Sequence, residues 1–363
     1  MDLRSELAHK EQRVRALLKA VGAEALLVQQ AANFAWLTGG ASSYIHIATD
    51  LGAASLLFTP EGRYVLTNNI EATRLRGEEK LEEAGFGFKE GPWHVDGGNP
   101  APGLKLAADV PYPGAVDVSA QLAAERLLLT DAEQARFRQL GALCAAAMQA
   151  AIDRVQPGMT EYEIAGALAE EVYRREVLPV VNLIATDGRI FNFRHPLPTG
   201  KRMEQYAMLV LCGRKWGLVA SITRLVHYGR LTDELRRKMQ ATARIDATFI
   251  AATRPGATVG QVFARALQAY ADTGFADEWK LHHQGGPAAY APREWLATSP
   301  DNDHVVRAGE VYAWNPSITG AKSEDTILVG PTGNVVLTAI DGWPALDVEI
   351  DGQVIARPAI LER

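Results

Sequence analysis

Gln156-Pro157-Gly158-Met159-Thr160 and Arg254-Pro255-Gly256-Ala257-Thr258 share one pattern, and its recurrence decides how the larger part of the chain is read. In each copy a Pro-Gly turn lies between two helical stretches. Each Thr opens a cap-like signal, with Glu163 or Gln261 three residues on. A side chain at that spacing can return a hydrogen bond to the start of the helix. Each second helix leads into apolar, strand-like runs. The matched context predicts a duplicated half-domain. Two similar halves facing each other create a central cleft, a common place for a ligand.

Working outward, Thr130-Asp131-Ala132-Glu133 is a further capping box, and it predicts a long helix running toward Val155. The domain boundary is placed at about 125 to 130, giving an N-terminal domain of residues 1–128 and a C-terminal domain of residues 129–363. In the first domain, residues 5 to 22 read as an amphipathic helix with Leu7, Val14, Leu17, Leu18 and Val21 on one face. Glu24 to Val28 reads as a buried strand. Ala53 to Thr59 and Tyr64 to Leu66 read as strands joined by the turn Pro60-Glu61-Gly62. The alternation predicts a small α/β domain. Residues 86 to 117, rich in glycine and proline, read as irregular.

The 363 residues are 47% hydrophobic and 22% charged, values of an ordinary globular protein. A net charge of -6 argues against nucleic acid as a partner. The basic clusters Lys201-Arg202 and Arg236-Arg237-Lys238 read as exposed helix or turn residues. No run approaches a membrane span. The start, Met1 to Glu6, lacks an apolar leader. Two cysteines, Cys144 and Cys212, fit a reducing compartment, so a cytoplasmic location is expected.

The order and spacing of several motifs resemble the family of creatinase, aminopeptidase P and prolidase across nearly the whole chain. Asn33 to Gly39 is similar to the Asn-x-x-Tyr-Leu-Thr-Gly of their N-terminal domain. The resemblance implies a creatinase-like α/β domain followed by an α+β pita-bread domain of two similar halves. It also implies a homodimer. Catalytic members hold two divalent cations with two Asp, one His and two Glu, a donor set suited to manganese, cobalt or zinc. At the matching positions this sequence has Cys212 in Val210-Leu211-Cys212-Gly213 and Ser221 in Ser221-Ile222-Thr223-Arg224. It has Gly286 in Gly285-Gly286-Pro287 and Asn315 in Asn315-Pro316-Ser317-Ile318. Only Glu324, in Glu324-Asp325-Thr326, keeps the family's residue type. A lone carboxylate cannot offset the charge of two dications, so no metal cofactor is expected, a manganese or zinc site being the alternative.

Phe191-Asn192-Phe193-Arg194-His195-Pro196 matches the segment whose His faces the substrate in this family. In creatinase, which also lacks metals, the matching His transfers the proton. His195 is therefore the expected acid/base, with Glu324 beside it, and the plain alternative is a histidine bonded in a proline-rich turn. Cys212 reads either as a nucleophile or as an inert buried thiol. His282 matches a histidine found before the glycine in many members. One of His282 and His283 is expected to line the cleft and the other to face away, since neighbours on an extended chain alternate. Arg293, at the family's second His, and Arg224 are candidates to bind a substrate carboxylate. Arg224 reads equally well as structural. Glu294 and Glu324 are candidates for a cationic group, and they need a positive partner, Arg293 or a basic ligand. Trp216, Tyr290 and Trp314 are expected to pack rather than recognise.

Three functions from different classes follow. The first is a metal-independent hydrolase of a small C–N-bonded substrate or short peptide. The second is a non-catalytic binding homologue. The third is an Xaa-Pro peptidase with an atypical metal site.

Overall fold

The computed structural model describes residues 2–95 and 97–363; Met1, with which the leader reading begins, lies outside them. The chain divides into two compact units, Met1–Glu133 with Trp216–Leu218, and Gln134–Lys215 with Val219–Arg363.

The first unit is an α/β domain. Helix α1 (Leu3–Val21) starts where the Asp2 side chain accepts from the Ser5 amide and stops at Gly22, whose φ of 66° only glycine adopts readily. Its inner face buries Leu7, Val14 and Leu18. The same face buries an ionic group in which Lys10 Nζ lies 2.6 Å from Glu6 and 2.8 Å from Glu133. Strand β1 (Ala25–Gln30) and helix α2 (Ala31–Thr38) follow. Next come β2 (Leu51–Thr59), β3 (Gly62–Asn68) and α3 (Ala72–Gly77). The stretch read as irregular, 86 to 117, instead supplies three short strands. These are β4 (Gly87–Gly91), β5 (Leu106–Ala108) and β6 (Val116–Asp117), ahead of α4 (Ser119–Glu125). They complete a six-stranded sheet in the order β4-β3-β2-β1-β5-β6. Their hydrophobic periods are too short to register, and backbone pairing with neighbours rather than propensity makes them strands.

The second unit begins on α5 (Asp131–Ile152), whose Thr130–Glu133 capping box is present. Phe137, Leu140, Cys144, Met148 and Ile152 bury one helical stripe. Then come α6 (Glu161–Tyr173), β7 (Leu178–Thr186), α7 (Gly188–Asn192), β8 (Tyr206–Lys215) and β9 (Leu218–His227). The second half runs α8 (Asp233–Ala252), α9 (Val259–Asp272), β10 (Gly285–Ala288) and β11 (Val311–Trp314). The short strands β12 (Ser317–Ile318) and β13 (Ala321–Lys322) precede β14 (Asp325–Val329) and β15 (Asn334–Val336). The chain ends on the hairpin β16 (Ala345–Ile350) and β17 (Gln353–Pro358), then β18 (Leu361–Glu362).

The repeat read from sequence is a structural repeat. Gly158 and Gly256 both take positive φ, 93° and 89°. Each donates its amide to a later loop, Met203 O at 2.8 Å and Val306 O at 3.0 Å. Thr160 and Thr258 both close full capping boxes. Two four-stranded sheets result, β18-β9-β8-β7, whose edge strand β18 comes from beyond the second half, and β10-β11-β14-β15. The two sheets meet where Thr223 on β9 bridges Glu324, just before β14. This is the pita-bread arrangement, with the α/β domain ahead of it, that the sequence implied.

Strand alternation splits this junction into two faces. Glu324 and Thr223 point one way. Asp325 and Arg224 point the other, into a buried network with Asp246 and Arg357. Arg224 lies 2.9 Å and Arg357 2.5 Å from Asp325, and Arg357 lies 2.7 Å from Asp246. Arg357, on the terminal hairpin, is 1% exposed. Replacing it leaves two buried carboxylates short of a partner. Arg357→Met is expected to cost about 3 to 5 kcal/mol, the usual penalty for breaking a buried ion pair. Urea unfolding measures this as a lower midpoint; an unchanged midpoint contradicts the network's role.

Candidate active site

Cys212, Ser221, Arg293 and Glu324 collect around the Thr223–Glu324 bridge, all within the second unit. Cys212 on β8 and Ser221 on β9 are buried, with Sγ and Oγ 3.3 Å apart. Glu324 is 2% exposed. Its Oε1 lies 2.9 Å from Arg293. Its Oε2 accepts from the Thr223 hydroxyl at 2.5 Å and lies 3.2 Å from Lys322 Nζ. The Arg293 guanidinium also donates to Ser221 Oγ at 3.0 Å. The positive partner expected for Glu324 is therefore Arg293, together with a lysine that sequence reading missed. Its signal was there: Lys322 stands two residues before Glu324 in an extended stretch, which puts both side chains on one face. Thr223, two after Ser221, follows the same rule.

Gly286 lies on β10 with no room beside it. A Cβ there would come within 2.5 Å of Trp295 O. Asn315 is buried, its amide N–H held by Gln284 O at 3.0 Å.

His195 follows α7 and reaches the site because Arg194 anchors its loop. The Arg194 guanidinium donates to Glu278 and Thr319 Oγ1 at 2.8 and 2.9 Å. Glu278 opens the short helical turn that leads into His282. His195 Nε2 and His282 Nε2 are 3.1 Å apart. The expectation that His282 and His283 diverge is corrected. Their rings stack at 4.4 Å, and the His283 ring centre lies 5.4 Å from that of His195. The chain bends between turn and strand here, where Gln284 donates back to His282 O at 2.6 Å, so strict alternation does not apply. The three rings form one cluster, one nitrogen from each lying within 4.8 Å of the others.

Two further expectations are corrected. Arg224, a candidate for substrate binding, is 2% exposed, and its two terminal nitrogens donate to Asp325, Thr223 O, Glu324 O and Thr338 O. It faces away from the site and is structural. Glu294, a candidate for binding a cation, closes its own turn, with Oε1 accepting from the amides of Tyr290 and Ala291. Trp314 is buried, stacked on Phe249 and Tyr312, and donates to Thr253. Tyr290 is buried, and Trp216 belongs to the first unit.

The charges set the protonation states. Burial alone would push the Glu324 carboxyl up, but Lys322 and Arg293 outweigh it and hold the group at about 2. Glu324 is thus ionised across the working range. Burial, reinforced by Glu324, pushes the Cys212 thiol up to about 11, so it stays protonated and un-nucleophilic. Burial and the Lys322 charge take His282 down to about 2. Burial and Arg293 take His283 down to about 4. His195, although exposed overall, is also lowered, by burial of its ring and by Lys322. All three imidazoles are neutral at pH 7, and His282 and His283 resist protonation more strongly than a free imidazole does.

The profile of metallopeptidase family M24 matches residues 135–331, more than half of the chain. The chain belongs to metallopeptidase family M24. This M24 chain is 30% identical to the agropine synthesis cyclase of Rhizobium rhizogenes over 157 residues, which is 40% of this chain and 39% of that protein. It is 22% identical to the Xaa-Pro dipeptidase of Pyrococcus horikoshii over 343 residues, 87% of this chain and 92% of the dipeptidase. The prolidase structure from Pyrococcus horikoshii OT3 superposes with a TM-score of 0.76 at 19% identity, covering 92% of this chain and 99% of the prolidase. That likeness establishes the shared fold.

The depressed histidines make stability of the M24 chain depend on pH with a definite sign. In the unfolded chain His282 titrates near 6.5, in the native one near 2. Below pH 6.5 the unfolded state binds a proton that the native state refuses, so stability falls on acidification, by up to about 1.4 kcal/mol per pH unit for this ring. Thermal unfolding between pH 7.5 and 5.0 is expected to show Tm dropping by several degrees, and His282→Asn should flatten that slope. Equal slopes for the two proteins would contradict the burial of a neutral ring.

Proposed function

We propose that this M24 protein is a metal-independent hydrolase of a small C–N-bonded substrate or short peptide, with His195 as its proton-transfer group. The observation that carries the reading is the state of Glu324. Both of its oxygens are already taken by side-chain donors: Oε1 by Arg293, Oε2 by Thr223 and Lys322. Two dications do not fit the donors at the positions where the family's metal ligands stand. Cys212 is a protonated thiol, Ser221 a hydroxyl already paired to Arg293, Asn315 a neutral amide, and Gly286 offers no side chain. Divalent ions require several anionic or imidazole ligands around a shared centre. Nor would Gly286→His supply the missing imidazole, because the backbone of Trp295 occupies that space.

In this reading Arg293 and Lys322 fix and neutralise Glu324, and chemistry falls to the imidazoles. His195, neutral at pH 7, takes a proton from a water. The water oxygen bonds to the substrate carbon, the C–N bond breaks, and His195 returns the proton to the leaving nitrogen. His282 holds the His195 ring through the Nε2 contact. Support for non-peptidase chemistry comes from the relative named as a cyclase of agropine synthesis. A cytoplasmic location is proposed alongside, on the two free cysteines, and a homodimer on the family resemblance.

A second reading, a ligand-binding homologue without turnover, is supported by the same loss of ligand residues. One comparison separates them. Elemental analysis of protein purified with manganese and zinc present is expected to give far less than one metal per chain. Turnover in a C–N substrate panel should survive chelator and fall about 100-fold or more in His195→Ala, the usual scale for losing a general base. Binding without product by both proteins favours the second reading. A stoichiometric metal pair with Xaa-Pro cleavage sinks the proposal.

A further inference from the structure

A small hollow opens beside Glu324's partner lysine. It has a volume of about 10 Å³ and is bounded by Lys322, His282, Ser317 and Arg194, closed by Phe193, Met208 and neighbouring apolar side chains. That is space for one water-sized group, which means a single oxygen atom. Its polar lining is unusual in being unspent. Ser317 is 2% exposed and its Oγ has no hydrogen-bond partner among the described residues. The same is true of Arg194 Nε and His282 Nδ1. Lys322 is 5% exposed, and among the described residues its ammonium makes one polar contact, to Glu324, leaving donors to spare.

The lining contains two cations and no carboxylate. Among the described residues Arg194 pairs with Glu278, and Lys322 shares Glu324 with Arg293, which stands outside the lining, so these three cations meet two carboxylates. Buried polar groups without partners are costly, and a buried excess charge more so, unless a ligand completes them. A single neutral water satisfies some donors but leaves the charge. An anionic oxygen satisfies both.

We propose that this hollow is an anion subsite that seats one oxygen of a substrate carboxylate, held by Lys322 Nζ, Ser317 Oγ and Arg194 Nε. The subsite names a substrate class, small carboxylates, for the site of the hydrolase reading and rests on that reading for its location only. The carboxylate's second oxygen points out of the hollow, toward the imidazole cluster. A carboxylate substrate seated this way presents its adjoining C–N bond to His195.

The test uses formate and acetate as probes on the full-length protein, without turnover. At constant ionic strength, both are expected to raise Tm saturably, whereas chloride is not. Lys322→Met should weaken formate binding at least tenfold. Ser317→Ala, which leaves the Glu324 contacts intact, should weaken it about threefold, and it decides the matter if Lys322→Met fails to fold. A crystal soaked in formate should show a carboxylate oxygen in the hollow. Water alone in the hollow of the soaked crystal, or equal affinity in wild type and Ser317→Ala, overturns the proposal. Formate binding without any turnover would remove the hydrolase reading and leave the subsite; metal-free turnover without formate binding would do the reverse.

Discussion

A carboxylate buried at the seam of two sheets must be compensated, and much of this site follows from how Glu324 meets that demand. Removing an ion from water costs several kcal/mol even after the protein relaxes. Arg293 and Lys322 supply the compensating charge, and Thr223 a hydrogen bond, within 3.2 Å. Three properties come from that arrangement. Glu324 stays ionised, Ser221 is drawn to Arg293, and the neighbouring imidazoles are held neutral by burial together with the cations around them. On the proposed reading, the positive charge that dications supply in metal-holding members of the family comes here from side chains. The site then binds and positions rather than polarising through a Lewis acid.

The strands that carry Glu324 also carry its structural counterweight. Because side chains alternate, residues 223 and 324 address the site while 224 and 325 address the Asp246–Arg357 network behind it. The terminal hairpin reaches that network through Arg357, outside the stretch matched by the family profile. The site is thus framed from both sides of one seam. Its geometry is set by buried ion pairs whose partners come from distant parts of the sequence.

Much of this was legible beforehand. The Pro-Gly-x-Thr repeat was readable because each feature is local: a glycine at positive φ, a threonine cap, an acceptor three residues on. The Glu324-Asp325-Thr326 and Ser221-Ile222-Thr223-Arg224 runs carried the family resemblance. What failed was what depends on long-range pairing. β4, β5 and β6 lie in a glycine-rich stretch whose strands exist only because neighbours pair with them. Arg224 offered itself as a ligand-binding arginine, and only the folded chain reveals Asp325 beneath it. Lys322 was passed over because its meaning depends on Glu324 two residues later. The stacking of His282 on His283 depends on a bend that no periodicity announces.

The reading turns on whether cations from the chain or from solution balance Glu324, and anomalous scattering tests this most directly. Crystals soaked in manganese and measured at the manganese edge are predicted to show no anomalous peak among Cys212, Ser221, Asn315 and Glu324, with Arg293 and Lys322 still in contact with the carboxylate. Two strong peaks bridged by Glu324, with Arg293 displaced, would contradict it.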